Sequence, residues 1–251
     1  MNLGEELLDA MSPHNLFNIS IFGLSIPVTD TVVITWVIMA FLIIASLVMT
    51  SNMKLVPVGR QNLIEWVVET INGFARTNIG HHWEYFAPYL GTILLFLLTA
   101  NTISIFNVLP GAGEIYRLTH LEAFRYVNGI NIRPPTKDIN VTSCMAIMSI
   151  LLVLFSGIII RKPIGWIKSF VEPVPAIAPF KVMDYFIRPT SLCFRLFSNI
   201  LGSFIVMELI YFAMPVFLPA ALSIYFDLFD GVLQAYIFVF LTSLYIAEAV
   251  D

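Results

Sequence analysis

Charge is what this chain most lacks. Of its 251 residues, 12% are Asp, Glu, Lys or Arg and 58% are hydrophobic, with mean hydropathy +0.85. A soluble domain carries about 25% charged residues, so an integral membrane protein is expected, with lipid around it and no nucleic-acid partner. Cysteine is scarce as well. Cys144 and Cys193 lie inside apolar runs without metal-ligand spacing and read as small packing residues. Residues 1–30 hold no Lys or Arg and no short apolar core behind a basic start, so a cleaved signal peptide is not expected. There is no H-E-x-x-H, Gly-x-Ser-x-Gly or phosphate loop, and no Ser/His pair in the apolar runs. Chemistry on a covalent bond is therefore not expected within this chain. No internal repeat is visible, which speaks against the inverted-repeat transporter plan.

What is present is a succession of apolar runs. The expected fold is all-α, with about five membrane helices, one interfacial helix and a long tilted C-terminal hairpin, in a single membrane domain spanning 1–251. A leader over 1–30 carries Glu5, Glu6, Asp9 and His14 and is expected outside. Residues 31–50 form the first span, about the twenty residues that a bilayer requires. Lys54 and Arg60 follow it, so it runs from outside to inside. Over 61–80, Leu63, Ile64, Val67, Val68, Ile71 and Phe74 recur at helical spacing opposite Asn62, Glu65, Glu69 and Arg76. That segment is too polar to span and predicts an amphipathic helix along the inner surface. His81 and His82 are adjacent and cannot share a helix face, so they read as a turn.

The second span covers 85–109 and contains Asn101, Thr102, Ser104 and Asn107, which predict a packed or wet face. Residues 110–140 form an outer loop, and 141–160 a third span closed by Arg161 and Lys162. Lys54, Arg60, Arg76, Arg161, Lys162, Lys168 and Lys181 then lie inside, against Arg117, Arg125, Arg133 and Lys137 outside. This bias places the N-terminus outside and the C-terminus inside. After a Pro-rich connector at 172–179 come two very long apolar segments, about 180–214 and 219–250. Even counted from Pro189, the first measures about 38 Å and the second about 46 Å at 1.5 Å per residue. The hydrocarbon core is about 30 Å thick, so this hairpin over 180–250 must tilt strongly or be covered by a partner.

Within the hairpin stands one arginine. Between Pro189 and Phe226 the charged residues are Arg195 and Glu208. A cation at that depth costs about 2.5–3.5 kcal/mol on insertion scales and is by default functional. Ser191, Arg195 and Asn199 stack at i, i+4, i+8, while Glu208 lies about 140° away round the axis, too far for a local ion pair. In the last segment Asp227, Asp230 and Gln234 fall at i, i+3, i+7 on one regular-helix face. An antiparallel hairpin brings Gln234 toward Arg195, with the carboxylates nearer the outer mouth. A carboxylate on a moving partner that meets Arg195 gives up its H⁺ or Na⁺, because a nearby cation favours the ionised form. Arginine does not deprotonate, so it displaces the ion without passing it on. Taken singly, Ser191, Asn199 or Gln234 is also explained as a satisfied polar residue between helices. A stand-alone secondary ion transporter or channel is the alternative function.

Four stretches, SLCFRLFSN around Arg195, LQAYIFVFLTSLYI around Gln234, PYLGTILLFLLTAN and PPTKDINVT, closely resemble the a subunit of F-type ATP synthases. The order and spacing match from about Gly59 onward. The resemblance implies the stator of a rotary membrane motor, packed against a ring of c subunits and held by the b subunits of a peripheral stalk. Contact with the soluble catalytic head is indirect. It implies no bound cofactor, two offset aqueous half-channels, and H⁺ or Na⁺ as the translocated ion. The lack of a transit peptide favours a bacterial plasma membrane, with an organelle-encoded version as the alternative. Arg195 matches the family's essential arginine, with Ser191 and Asn199 its usual neighbours. Gln234 matches the facing glutamine, and Asp138 the Asp of the PPTxDxN segment. Asp227 takes the place where the family often has His or another polar group in the outer half-channel. Many members have Glu nine residues after the arginine; here that residue is Phe204, and Glu208, one turn later, is expected to substitute. Many have an acid eight residues before the proline matching Pro189. Here Lys181 stands there, with Asp184 a turn later, as the inner-exit candidates.

Overall fold

The computed structural model describes residues 15–21, 24–51, 53–57, 59–103, 134–171, 178–213, 222 and 224–250. It opens with two short antiparallel strands, β1 (Asn15–Ile21) and β2 (Leu24–Thr29), paired from Asn15↔Thr29 to Ile21↔Leu24. That pair occupies half of what the sequence showed only as a mixed leader. Six α-helices follow among the described residues: α1 (Asp30–Thr50), α2 (Arg60–Ile79), α3 (Trp83–Thr102), α4 (Ile139–Val171), α5 (Ala178–Ala213) and α6 (Gly231–Val250). Five helical stretches, with α2 and α3 taken as one, are long and apolar enough to cross a membrane. The architecture is the all-α membrane fold that the composition predicts.

Local chemistry sets the helix ends. The α1 start carries Asp30, whose Oδ1 accepts the Thr31 N–H at 2.9 Å; an acid suits the positive end of the helix dipole. Between α2 and α3 the chain turns through Gly80 at φ +74°, a conformation that costs glycine nothing, and a 3₁₀ turn over Gly80–His82 holds the histidine pair. In α4 the helical path breaks at Lys162, with φ +62° and ψ +153°. Pro163 accounts for the extended ψ, since proline disfavours the helical region for the residue before it; the positive φ is not explained by it.

The core lies where α3 and α6 cross the middle of the bundle. Leu90, Leu97, Phe238 and Ile246 are fully buried there, joined by Val153 of α4 and by Leu192 and Leu196 of α5. Small residues permit the approach: Ala87, Ala100, Ala235 and Ser243 are all buried. By contrast α1 buries only Thr31 and Ile38 among its residues and presents apolar side chains nearly all round. The second half of α2 belongs to the core, with Ala75 and Ile79 buried and Phe74 edge-on to Tyr236 at 5.7 Å. Its first half keeps Leu63, Glu65, Trp66 and Glu69 exposed. Cys193 is half-buried with its Sγ 3.2 Å from Ser143 Oγ, whereas Cys144 is exposed on α4.

The break at Lys162 turns the chain back on itself. A Cβ built on Gly157 would stand 2.9 Å from Trp166 Cδ1 and 3.3 Å from the Ala249 carbonyl oxygen. Gly157→Leu is therefore expected to overpack this corner by about 1–3 kcal/mol, read as a lower thermal midpoint of the purified protein. An unchanged midpoint would show that the corner has room to spare.

Candidate functional site: an arginine on the uncovered face of the bundle

Three contacts define which ends of the helices lie together. Thr31 Oγ1 donates to Asp138 Oδ2 at 2.9 Å, and Asn101 Nδ2 donates to the Gly231 carbonyl at 3.0 Å. At the opposite end Arg188 Nη2 meets Glu248 Oε1 at 2.7 Å. The bundle thus has an Asp138 end and a Glu248 end, and α5 and α6 run antiparallel between them.

On α5, Leu192 (2% exposed) and Leu196 (0%) turn into the core. Arg195 and Ser191, each one position earlier on the helix, are exposed, together with Phe194 and Gly202. Asn199 is half-buried. Among the described residues Arg195 has neither an ion pair nor a hydrogen bond, and no hydrogen bond links it to Ser191 or Asn199. The polar stripe expected from the spacing is thus a stack in register rather than a bonded network. A guanidinium left uncompensated on an apolar helix face costs several kcal/mol if lipid is its neighbour.

Facing α5, Asp230 Oδ2 lies 3.4 Å from Ser203 Oγ of that helix. This contact and the Arg188–Glu248 pair bracket Arg195 and place Gln234 near the level of Asn199, about one turn from the arginine. Gln234 is 5% exposed, and its Nε2 finds no hydrogen-bond acceptor among the described residues. A buried donor in that state costs about 1–3 kcal/mol.

One geometric expectation needs correction. Ile224–Asp230 is π-helical, and the α-helix begins only at Gly231. Because π turns bond i to i+5, the regular step of about 100° per residue does not hold between Asp227 and Asp230, whereas Asp230 and Gln234 are joined by α-helical steps. The Asn101–Gly231 hydrogen bond sits at the junction, and Thr136 Oγ1 orients the Asn101 amide by donating to its Oδ1 at 2.8 Å. Glu208 and Asp227 fall within helical segments, but their side chains lie outside the described ones; so do Ser104, Asn107 and the turn at 215–219.

Asp138 forms a buried clasp at its end of the bundle. It is 8% exposed and caps α4: its Oδ1 accepts the Asn140 N–H at 2.9 Å and Asn140 Nδ2 at 3.0 Å, while Oδ2 is held by Thr31. Lys181, half-buried, and Asp184, exposed, lie in the first turns of α5 toward the Glu248 end. Sequence reasoning missed the Arg188–Glu248 pair and the Tyr245 ring 4.9 Å from the Arg188 guanidinium. The available signal was the placement of Arg188 seven residues before Arg195.

Five apolar helical stretches among the described residues are long enough to cross a membrane, which makes this an integral membrane protein, and one of them carries an exposed arginine. Residues 32–247 match the family described as ATP synthase A chain, and the protein belongs to that family. It is 32% identical over 229 residues to "ATP synthase subunit a, sodium ion specific" of Propionigenium modestum, covering 89% of this chain and 75% of that one. It is 33% identical over 224 residues to "ATP synthase subunit a, chloroplastic" of Oedogonium cardiacum, covering 88% and 82%. Membership makes it a non-catalytic membrane subunit of the rotary ATP synthase, serving ion transport as part of a complex.

Proposed function

We infer that this chain is the stator through which an ion crosses the membrane and turns a ring of c subunits. The observation that carries the inference is Arg195: exposed on α5, uncompensated within the described residues, and flanked by apolar side chains. A ring presenting one carboxylate at that height removes the cost of leaving the cation in lipid. It also gives the arginine its task, since a carboxylate meeting it is held ionised and releases its H⁺ or Na⁺. The permanent charge of arginine prevents direct passage between two aqueous half-channels. Gln234, buried with a donor that lacks an acceptor, bonds the same carboxylate in this reading by turning its amide outward as the carboxylate passes.

At the Asp138 end, Glu208, Asp227 and Asp230 line one half-channel, with Asp138 adding a fixed negative field beside it. Ser191 and Asn199 flank the arginine, and Lys181 and Asp184 border the other half-channel. In this reading the Asp138 end faces outside a bacterial plasma membrane and the Glu248 end inside. The first half of α2 then lies at the inner surface, and the b subunits take part of the apolar surface of α1. The similarity to a sodium-specific subunit keeps Na⁺ beside H⁺ as the cargo.

Replacing Arg195 in the assembled complex is the decisive test, with loss of coupled ion flow as the expected result. For the path itself, Glu208→Gln should lower ATP-driven ion uptake into membrane vesicles several-fold without reducing assembled complex. Unchanged uptake would leave Asp227 and Asp230 as the acids of that half-channel.

A further inference from the structure

The helix that carries Arg195 carries a second arginine in nearly the same direction. Seven residues on a regular helix return to within about 20° of the starting face, so Arg188 lies about 10 Å from Arg195 toward the Glu248 end. The two cations keep different company. Arg195 is exposed and unpaired among the described residues. Arg188 is 15% exposed, its Nη2 is 2.7 Å from Glu248 Oε1, and its guanidinium lies 4.9 Å from the Tyr245 ring and 5.9 Å from the Tyr185 ring. Glu248 itself is 64% exposed, in the last turn of α6, and Arg161 Nη2 donates to its backbone carbonyl at 3.2 Å. So exposed a pair contributes about 0–1 kcal/mol to stability, which leaves its placement to be explained otherwise.

We propose that Glu248 is a charge-masking residue: it neutralises Arg188, so that Arg195 is the single uncompensated cation on the face that meets the partner's carboxylates. The proposal rests on Arg195 acting as the ion-displacing group. An arginine cannot be silenced by deprotonation, so only a fixed counter-charge can remove it from competition. Unmasked, Arg188 stands about one Debye length from Arg195, and partly buried charges are screened less than that length implies. Its field would reach a carboxylate passing at the height of Arg195 and hold it ionised after it has left Arg195, when it has to regain an ion before re-entering lipid. Masking leaves that field to Arg195 alone. Glu248 is in this sense a positioning residue acting through Arg188, and it need not touch the ion.

The alternative is a plain clasp between α5 and α6, and charge compensation separates the two. The assembled complex is compared as parent, Glu248→Gln, Glu248→Asp, Arg188→Gln and the double Arg188→Gln/Glu248→Gln. The readout is ions pumped per ATP hydrolysed in vesicles, normalised to the amount of intact complex. Glu248→Gln should lower coupling about tenfold, the scale of one unmasked charge at about 10 Å. Glu248→Asp should stay near the parent. The double variant should recover to within about twofold, because it removes both charges together. A double variant as impaired as Glu248→Gln, failure of either to assemble, or a Glu248→Gln that pumps normally would overturn the proposal. Arg195→Ala, run beside them, keeps the two ideas apart. If it still pumps, the reading of Arg195 fails; if it is inactive while Glu248→Gln is normal, only the masking fails.

Discussion

Arg195→Ala should abolish ATP-driven ion pumping by the assembled complex while the soluble head continues to hydrolyse ATP. The expected loss is to background, larger than for any other substitution in this chain. The reason is the isolation of the charge. Leu192 and Leu196 seal the neighbouring face into the core, and Ser191 and Phe194 share the uncovered side. On α5 the nearest other cation, Arg188, is bound to Glu248 and is not available to take over. Alanine removes both the force that strips the ion from a passing carboxylate and the barrier between the half-channels. A passive ion leak through the membrane sector should therefore appear as coupled pumping disappears. Normal coupled pumping in Arg195→Ala would refute the role.

The second large effect is expected from Asp138→Ala, and it concerns stability. The carboxylate accepts three hydrogen bonds, two from Asn140 and one from Thr31, at 8% exposure. Losing a helix cap costs about 0.5–2 kcal/mol, and a buried hydroxyl left without its acceptor about 1–3 kcal/mol. A combined loss of about 2–4 kcal/mol should appear as less intact subunit in the membrane and a lower thermal midpoint of the complex. Asp138→Asn keeps an oxygen for the cap and should retain most of the stability. Loss of ion flux in that variant with stability intact would be the mark of a direct ion-path role. Wild-type stability in Asp138→Ala would show that the clasp carries no load.

An all-α membrane fold was legible because hydropathy alone shows it: the run 31–50 falls within α1, and the stretch 61–80 overlaps the helix α2. The isolation of Arg195 was legible for the same reason, as a charge stands out in an apolar run. Contacts between distant segments were not. The clasp joins Thr31 to Asp138, and the Asn101 amide links Thr136 to Gly231. Those partners are brought together by folding and follow no spacing rule. The π turn before Gly231 was equally hidden, because a wheel at 100° per residue assumes the geometry that the segment departs from. Arg188 and Glu248 were visible as letters, but their pairing depends on the antiparallel register of α5 and α6.

Cross-linking tests most directly whether the Arg195 face of α5 lies against a neighbouring subunit. In a background without Cys144 and Cys193, single cysteines at Ser191, Asn199 and Gly202 are oxidised against cysteines flanking the ring carboxylate. Leu192 and Leu196 serve as controls. Ready disulfides from the first three positions and none from the two leucines are the expected result. Cross-links from the leucine positions, or none from the arginine's face, would contradict the account.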